Sequence, residues 1–237
     1  MKKLIVLGAG GYAQEVLWIV DDINLAAPAW DFLGFIDPQK PGQKSELYDR
    51  PVLGGWEAVP DTDELFFVCG IGSPKARRKV CGEAEERGLK PATLIHPSVK
   101  VARHVEVGEG TVIGAGSFLG PYVTLGRHCS LNIGVNVGHD TQVGGYSVLS
   151  PGACLLGNSR LAEGVFVGAG ATVYMGRSVG EGAIVGANSF LLTNQQPATT
   201  VIGVPAVRLS ATDGSGICTA REAQTDRQAQ GSVCDQM

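Results

Sequence analysis

The chain has 237 residues, a formal net charge of −4 and a pI near 5.6, so it offers no basic footprint for nucleic acid and has length for one or two domains with a sizeable core. Glycine is abundant (34 residues) and aromatic residues are scarce (6%), which points to many tight turns and small packed cross-sections. No apolar stretch approaches the roughly 20 residues of a membrane span, and glycines break the opening MKKLIVLGAGG too early for a signal peptide, so a cytoplasmic protein without nucleic-acid or membrane partners is expected.

The first apolar run, residues 4–7, reads as a buried strand followed by a glycine turn. Val16, Leu17, Ile19 and Val20 then fall on one face of an amphipathic helix. Gly8, Gly10 and Ala13 fit the loose G-x-G-x-x-G/A pattern that brings a backbone close to phosphate at a helix N-terminus. FLGFID reads as a second strand ending at Asp37, where an acidic group can meet a ribose. ELFFVCGIGSPKARRKV reads as a later strand, a turn at Gly72-Ser73-Pro74 and a helix bearing Arg77, Arg78 and Lys79. PATLIHP reads as the strand leading out. With about 90 residues available here, a nucleotide or nucleotide-sugar site fits better than a two-halved dinucleotide fold. The plain alternative is a helix-packing turn with no ligand.

From Ile95 to Leu191 every sixth residue is Val, Ile or Leu. The next position is often glycine, as at Gly108, Gly114, Gly120, Gly126, Gly138, Gly144, Gly168, Gly180 and Gly186. Four residues after each aliphatic comes a small or β-branched residue, from Thr111 to Ser159, with Arg177 as the exception. A period of six is neither that of a strand nor that of a helix. It is the hexapeptide signature of a parallel β-helix, about five coils of 18 residues, with no long loop to interrupt the phase. The aliphatic should point inward, the small residue should pack near the corner, and glycine should permit the bend.

Such a solenoid can be purely structural, an ice-binding surface, a zinc enzyme or an acyltransferase. Ice binding would need ordered threonine ranks, and the outward positions are mixed. Zinc would need three converging histidines, and no H-x4-H pair follows His128 and His139. The six cysteines show no CxxC pair and read as reduced thiols. That leaves acyl transfer from acetyl-CoA, without metal, as the remaining large class.

GAGGYAQEV, IGSPKARRKV, LIHPSV, GHD and GVPA, in this order, resemble the nucleotide-sugar and sialic-acid acetyltransferases typified by the bacillosamine-pathway and GDP-perosamine N-acetyltransferases. The likeness covers residues 1 to about 210. It implies a short α/β Rossmann-like N-terminal domain (1–93) that binds the nucleotide sugar, followed by a left-handed parallel β-helix (94–209) that binds acetyl-CoA between adjacent subunits of a homotrimer. By the same resemblance His139 is the base, Asp140 its acidic neighbour and Asn132 a companion. Gly10, Gly11, Tyr12, Asp37, Gly72, Ser73 and Arg77 are implied on the nucleotide side. Gly157, Ala169, Ala187, Gly203 and Pro205 are implied along the acetyl-CoA channel, the last two in the turn Gly203-Val204-Pro205-Ala206. Several relatives have a second histidine where this chain has Val148, with Ser147 or Ser150 as the substitutes at hand. The tail 210–237 has no counterpart, is polar and nearly aperiodic, and is expected to be disordered.

In the hexad register Val137 points inward, so His139 and Asp140 fall at outward positions suited to a cleft between subunits. A neutral imidazole can take the proton that an attacking amine loses, and a carboxylate on its other nitrogen fixes the tautomer. His96, His104 and His128 read as structural or surface residues. The expected activity is acetyl transfer to the amine of a nucleotide-linked amino sugar, such as a 4-amino-4,6-dideoxy sugar. Sugar or sialic-acid O-acetylation and a non-catalytic trimeric nucleotide-binding scaffold stand as alternatives, and a plain surface histidine is the bland one.

Overall fold

A computed structural model describes residues 1–38, 41–42, 45–62 and 64–209; the tail expectation for 210–237 lies outside them. The N-terminal part is built from β1 (Lys2–Leu7), α1 (Gly11–Ala26), β2 (Trp30–Ile36), β3 (Glu46–Leu47), β4 (Arg50–Gly54), β5 (Leu65–Cys69), α2 (Pro74–Glu86) and β6 (Lys90–Pro91). These strands form one sheet in the order β3-β4-β2-β1-β5-β6, parallel except for the β3–β4 hairpin. The order reverses between β1 and β5, so the turns leaving their carboxyl ends open onto one crevice, where parallel α/β sheets take ligands. Val16, Leu17, Ile19 and Val20 are buried against Leu4 and Val6, as their helical spacing requires.

The expected exit strand divides in two. Ala92 N–H still donates to Phe67 of the first sheet, whereas Leu94 N–H donates to Thr111 of the solenoid. From there the chain winds as a triangular parallel β-helix whose three faces are sheets of two-residue strands. Partners lie 18 residues apart, as in Val112–Ser130–Val148–Phe166–Ile184 on the first face. The aliphatic rank from Ile113 to Leu191 is buried and forms the core. The first three members are the exceptions, Ile95 and Val101 being 36% and 46% exposed and Val107 half-buried, because no coil lies beneath the first one. The last coil is closed by Thr200–Ile202 and the antiparallel return Val207–Arg208.

The corner chemistry differs from the expectation in one respect. The glycine after the aliphatic does not make the bend. An ideal Cβ there would stand 2.8 Å from the backbone nitrogen of Ile133 at Gly114, and 2.6 Å from that of Gly157 at Gly138. Glycine at this position therefore lets successive coils approach. The bend is made two residues later, in left-handed backbone taken by Gly116, Gly134 and Gly152 but also by Tyr122, Asp140 and Asn158. The small residue one step further is buried, and its hydroxyl often ties one coil to the next. Thr111, Ser117, Thr141, Ser147 and Ser159 each donate to the carbonyl 15 residues ahead.

The N-terminal domain docks on the first face of the solenoid. Leu94 and Val112 join the apolar cluster of α1. His96 Nε2 lies 2.8 Å from Asp22, and Trp18 packs on its ring. Further along, the fully buried His128 stacks between Phe67 and Tyr146, with Nε2 2.9 Å from Glu85, which also pairs with Arg127.

Candidate active site

His139 and Asp140 sit on the corner between the second and third faces. Asp140 occupies the left-handed bend (φ 57°), which turns its carboxylate back onto the preceding residue. His139 Nδ1 and Asp140 Oδ2 are 2.7 Å apart. An ionised carboxylate only accepts, so this bond places the ring proton on Nδ1 and leaves the Nε2 lone pair free. Nε2 lies over Gly157 of the next coil, where a Cβ would stand 2.5 Å away. Only glycine leaves room for the imidazole in that orientation. The side chains of His139 and Asp140 are 59% and 51% exposed, so one chain alone does not enclose the pair.

The positions expected along the acetyl-CoA channel lie on two corners and at the far end of the solenoid. Gly157 stands above His139 on that corner. Ala169 and Ala187 are exposed and stack at the corner between the first and second faces, where Asn188 N–H donates to the Ala169 carbonyl. Gly203 and Pro205 are exposed at the far end, across a cis Val204–Pro205 bond. Asn132 belongs to the Ala169 corner and not to that of His139. Its Oδ1 is 3.2 Å from Ser130 Oγ, which is 2.6 Å from the Tyr12 hydroxyl. With one proton on each hydroxyl, the arrangement that satisfies both contacts is a relay from Tyr12 to Ser130 to Asn132.

Of the residues expected to meet the nucleotide, Gly10 and Gly11 open α1 with clear space around them and no side-chain cap. Asp37 follows β2 at the same sheet edge. Ser73 caps α2, its Oγ facing the Ala76 N–H. Gly72 and Ser73 also line a cleft of about 710 Å³ floored by Phe166 and Ile184 and edged by Arg78, Glu163 and Glu181. Arg77 is a correction. It is fully buried, and its guanidinium donates to the carbonyls of Ile71, Cys69 and His128, bracing the domain seam where no surface ligand reaches it. Tyr12 packs beside it, and burial raises the phenol pKa while the Arg77 charge opposes the rise. Ser147 is likewise unavailable as a histidine substitute: it is buried, with Oγ engaged by Ala162 and Val165. Val148 is buried on the first face. Among the described residues no cluster of His, Cys, Asp or Glu could hold a metal ion, and no helix is long and apolar enough to cross a membrane.

The family model of the PglD N-terminal domain matches residues 3–84. The GDP-perosamine N-acetyltransferase of Escherichia coli O157:H7 is 29% identical over 178 residues, 72% of this chain and 77% of that protein. PerB from Caulobacter crescentus, solved in complex with CoA and GDP-perosamine, superposes with a TM-score of 0.79 at 26% identity, covering 89% of this chain and 98% of that one. In sequence and in fold the chain is thus similar to nucleotide-sugar N-acetyltransferases. The acetyltransferase domain of PglB from Neisseria gonorrhoeae, solved with acetyl coenzyme A, agrees equally well, with a TM-score of 0.78 at 27% identity over 88% of this chain and 99% of that one. The α/β domain followed by a left-handed β-helix is thus the architecture that this chain shares with nucleotide-sugar acetyltransferases.

Within that architecture the sequence reading missed two features that shape the site. Gly157 was read as channel backbone, and the structure also makes it the shelf for His139; the signal was its position, 18 residues after the histidine. Ser130 had no signal beyond the same 18-residue phase, which sets it against Tyr12 of the docked domain.

Proposed function

We propose that the protein transfers the acetyl group of acetyl-CoA to the amine of a nucleotide-linked amino sugar, a 4-amino-4,6-dideoxy sugar by resemblance, with His139 as general base. The observation that carries this reading is the His139–Asp140 pair, with Nδ1 held at 2.7 Å and Nε2 free over a glycine. The amine nitrogen attacks the thioester carbonyl and Nε2 accepts the amine proton. The carbon–sulfur bond then breaks, and the proton passes to the departing thiolate. Asp140 orients the ring and stabilises the imidazolium. No acyl-enzyme is required, so no serine or cysteine nucleophile is invoked. The nucleotide is read as lying across the β1/β5 crevice, against Gly10, Gly11, Tyr12, Gly72 and Ser73 with Asp37 nearby.

The reading includes a homotrimer. An exposed pair needs a second wall, and Asn132 stands on a different corner from His139, so the two can serve one reaction only across a subunit boundary. Thiol release from acetyl-CoA with a panel of GDP-, UDP- and dTDP-linked 4-amino sugars tests the activity, and release with none of them overturns it. Mixing His139→Ala and Asn132→Ala subunits tests the shared site. Activity should reappear in mixed trimers when neither pure variant is active. A light-scattering mass of one chain in a fully active sample would sink the trimer.

A further inference from the structure

Arg177 breaks the rule of its repeat. The equivalent places in the two coils beneath it hold Thr141 and Ser159, both fully buried. Arg177 is only half-buried, so its long side chain leaves the coil. Its Nε is buried without a hydrogen-bond partner, and among the described residues no carboxylate or carbonyl holds its outer nitrogens. A guanidinium in such a place costs free energy that packing alone does not explain. A second arginine stands beside it. Arg160 N–H donates to the Arg177 carbonyl at 2.9 Å, and the exposed Arg160 side chain projects from the adjoining third face, also without an ion pair. A chain with net charge −4 thus places two arginines without ion pairs on neighbouring coils, joined through their backbones.

Their position supplies the ligand. His139 and Gly157 are stacked on one corner by the bond from Asn158 N–H to the His139 carbonyl, and Gly176 N–H continues the column to Gly157. Arg177 follows Gly176, two coils above Thr141. At about 4.8 Å per coil this is about 10 Å along the axis from the His139 level. A donor with its thioester at His139 and its arm running up this corner brings its phosphates to the arginines.

We propose that Arg177, with Arg160, binds the phosphate groups of acetyl-CoA by charge-assisted hydrogen bonds from the guanidinium fork. This rests on the acetyl-transfer reading. The planar outer edge of arginine suits bidentate contact with phosphate, and an unpaired guanidinium gives up no existing partner on binding.

The test compares acetyl-CoA, acetyl-dephospho-CoA and S-acetylpantetheine as donors for wild type, Arg177→Gln, Arg177→Lys and Arg160→Gln. Arg177→Gln should raise KM for acetyl-CoA about 10- to 100-fold with little change in kcat, the size of one lost charge-assisted bond. Its KM for S-acetylpantetheine, which has no phosphodiester or ribose phosphate, should match that of wild type. Arg177→Lys should be intermediate, and Arg160→Gln should repeat the pattern more weakly. Acetyl-dephospho-CoA separates the sources: insensitivity to Arg177→Gln assigns the contact to the ribose phosphate, and retained sensitivity assigns it to the pyrophosphate. An unchanged KM for acetyl-CoA, or an equal rise with S-acetylpantetheine, overturns the proposal. If Arg177→Gln fails to fold, phenylglyoxal labelling of wild type decides: acetyl-CoA should protect Arg177 and S-acetylpantetheine should not, and absence of protection by acetyl-CoA refutes the assignment. Wild-type transfer from acetyl-CoA alongside any of these failures leaves the enzymatic reading standing, whereas no transfer at all removes that reading itself.

Discussion

Two histidines eleven residues apart on one winding of the solenoid each face a carboxylate, and their surroundings divide their roles. His128 is fully buried at the domain seam, stacked between Phe67 and Tyr146, with Glu85 on Nε2 and no partner on Nδ1. Burial lowers its pKa despite Glu85, so the neutral ring is favoured and is fixed in place. His139 stands open on another corner, its second nitrogen over a glycine. A histidine–acid pair is therefore not a catalytic signature by itself. What distinguishes the two is whether the second nitrogen can meet anything from outside.

Exchanging the fates of the two rings would break this contrast. His139→Ala should lower kcat by about 10²–10⁴-fold, the usual share of a positioned base, with an unaltered melting temperature and assembly. Full activity in that variant would show that the corner pair is decorative. Gly157→Ala should lower kcat by up to about 10²-fold, because the methyl occupies the place of Nε2 and the ring must move. Acetyl-CoA binding measured by calorimetry reports whether the same change also narrows the channel. His128→Ala should act on the other axis, costing about 3 kcal/mol of stability as other large buried truncations do, while kcat of the folded fraction is kept. Denaturant unfolding beside steady-state assays reads both.

The smallest effect concerns acid. The folded pKa of His128 lies below its unfolded value, so unfolding takes up a proton. Its contribution is fully present above the unfolded pKa of about 6.5 and is lost as pH falls through that value toward the depressed folded one. The melting temperature should therefore drop between pH 7 and pH 5, and His128→Phe should reduce the drop. A slope unchanged by that substitution would place the acid sensitivity elsewhere.

The solenoid was legible because one geometric rule repeats. Every sixth residue must be aliphatic for a narrow core to close, and seventeen such positions leave no competing period. The outward placing of His139 and Asp140 followed from that phase. What the phase could not carry is contact across the seam. Arg77 follows a glycine turn and looks like a ligand residue from its neighbours in sequence. Its burial depends on His128, 51 positions away, presenting a carbonyl to it. The role of the repeat glycines was misread for the same reason, since their close approach is to the coil that follows and not to their own turn. The β3–β4 hairpin was missed because two-residue pairing beside a proline has no periodicity to detect.

The docking of the α/β domain along one face also divides the solenoid by how cooperatively it can open. Coils that carry Leu94, Val112, Ser130 and Tyr146 are joined sideways to the first sheet, so they cannot fray without opening the seam as well. Beyond the reach of Arg78 to Glu163 and Glu181, a coil is held only by its neighbours above and below. Amide hydrogen exchange should therefore grade along the axis, slowest near residues 112–148 and fastest past residue 190, where Gly203 and Pro205 stand at the less anchored end. Opening confined to that end leaves the His139 corner, nearer the seam, with its geometry intact.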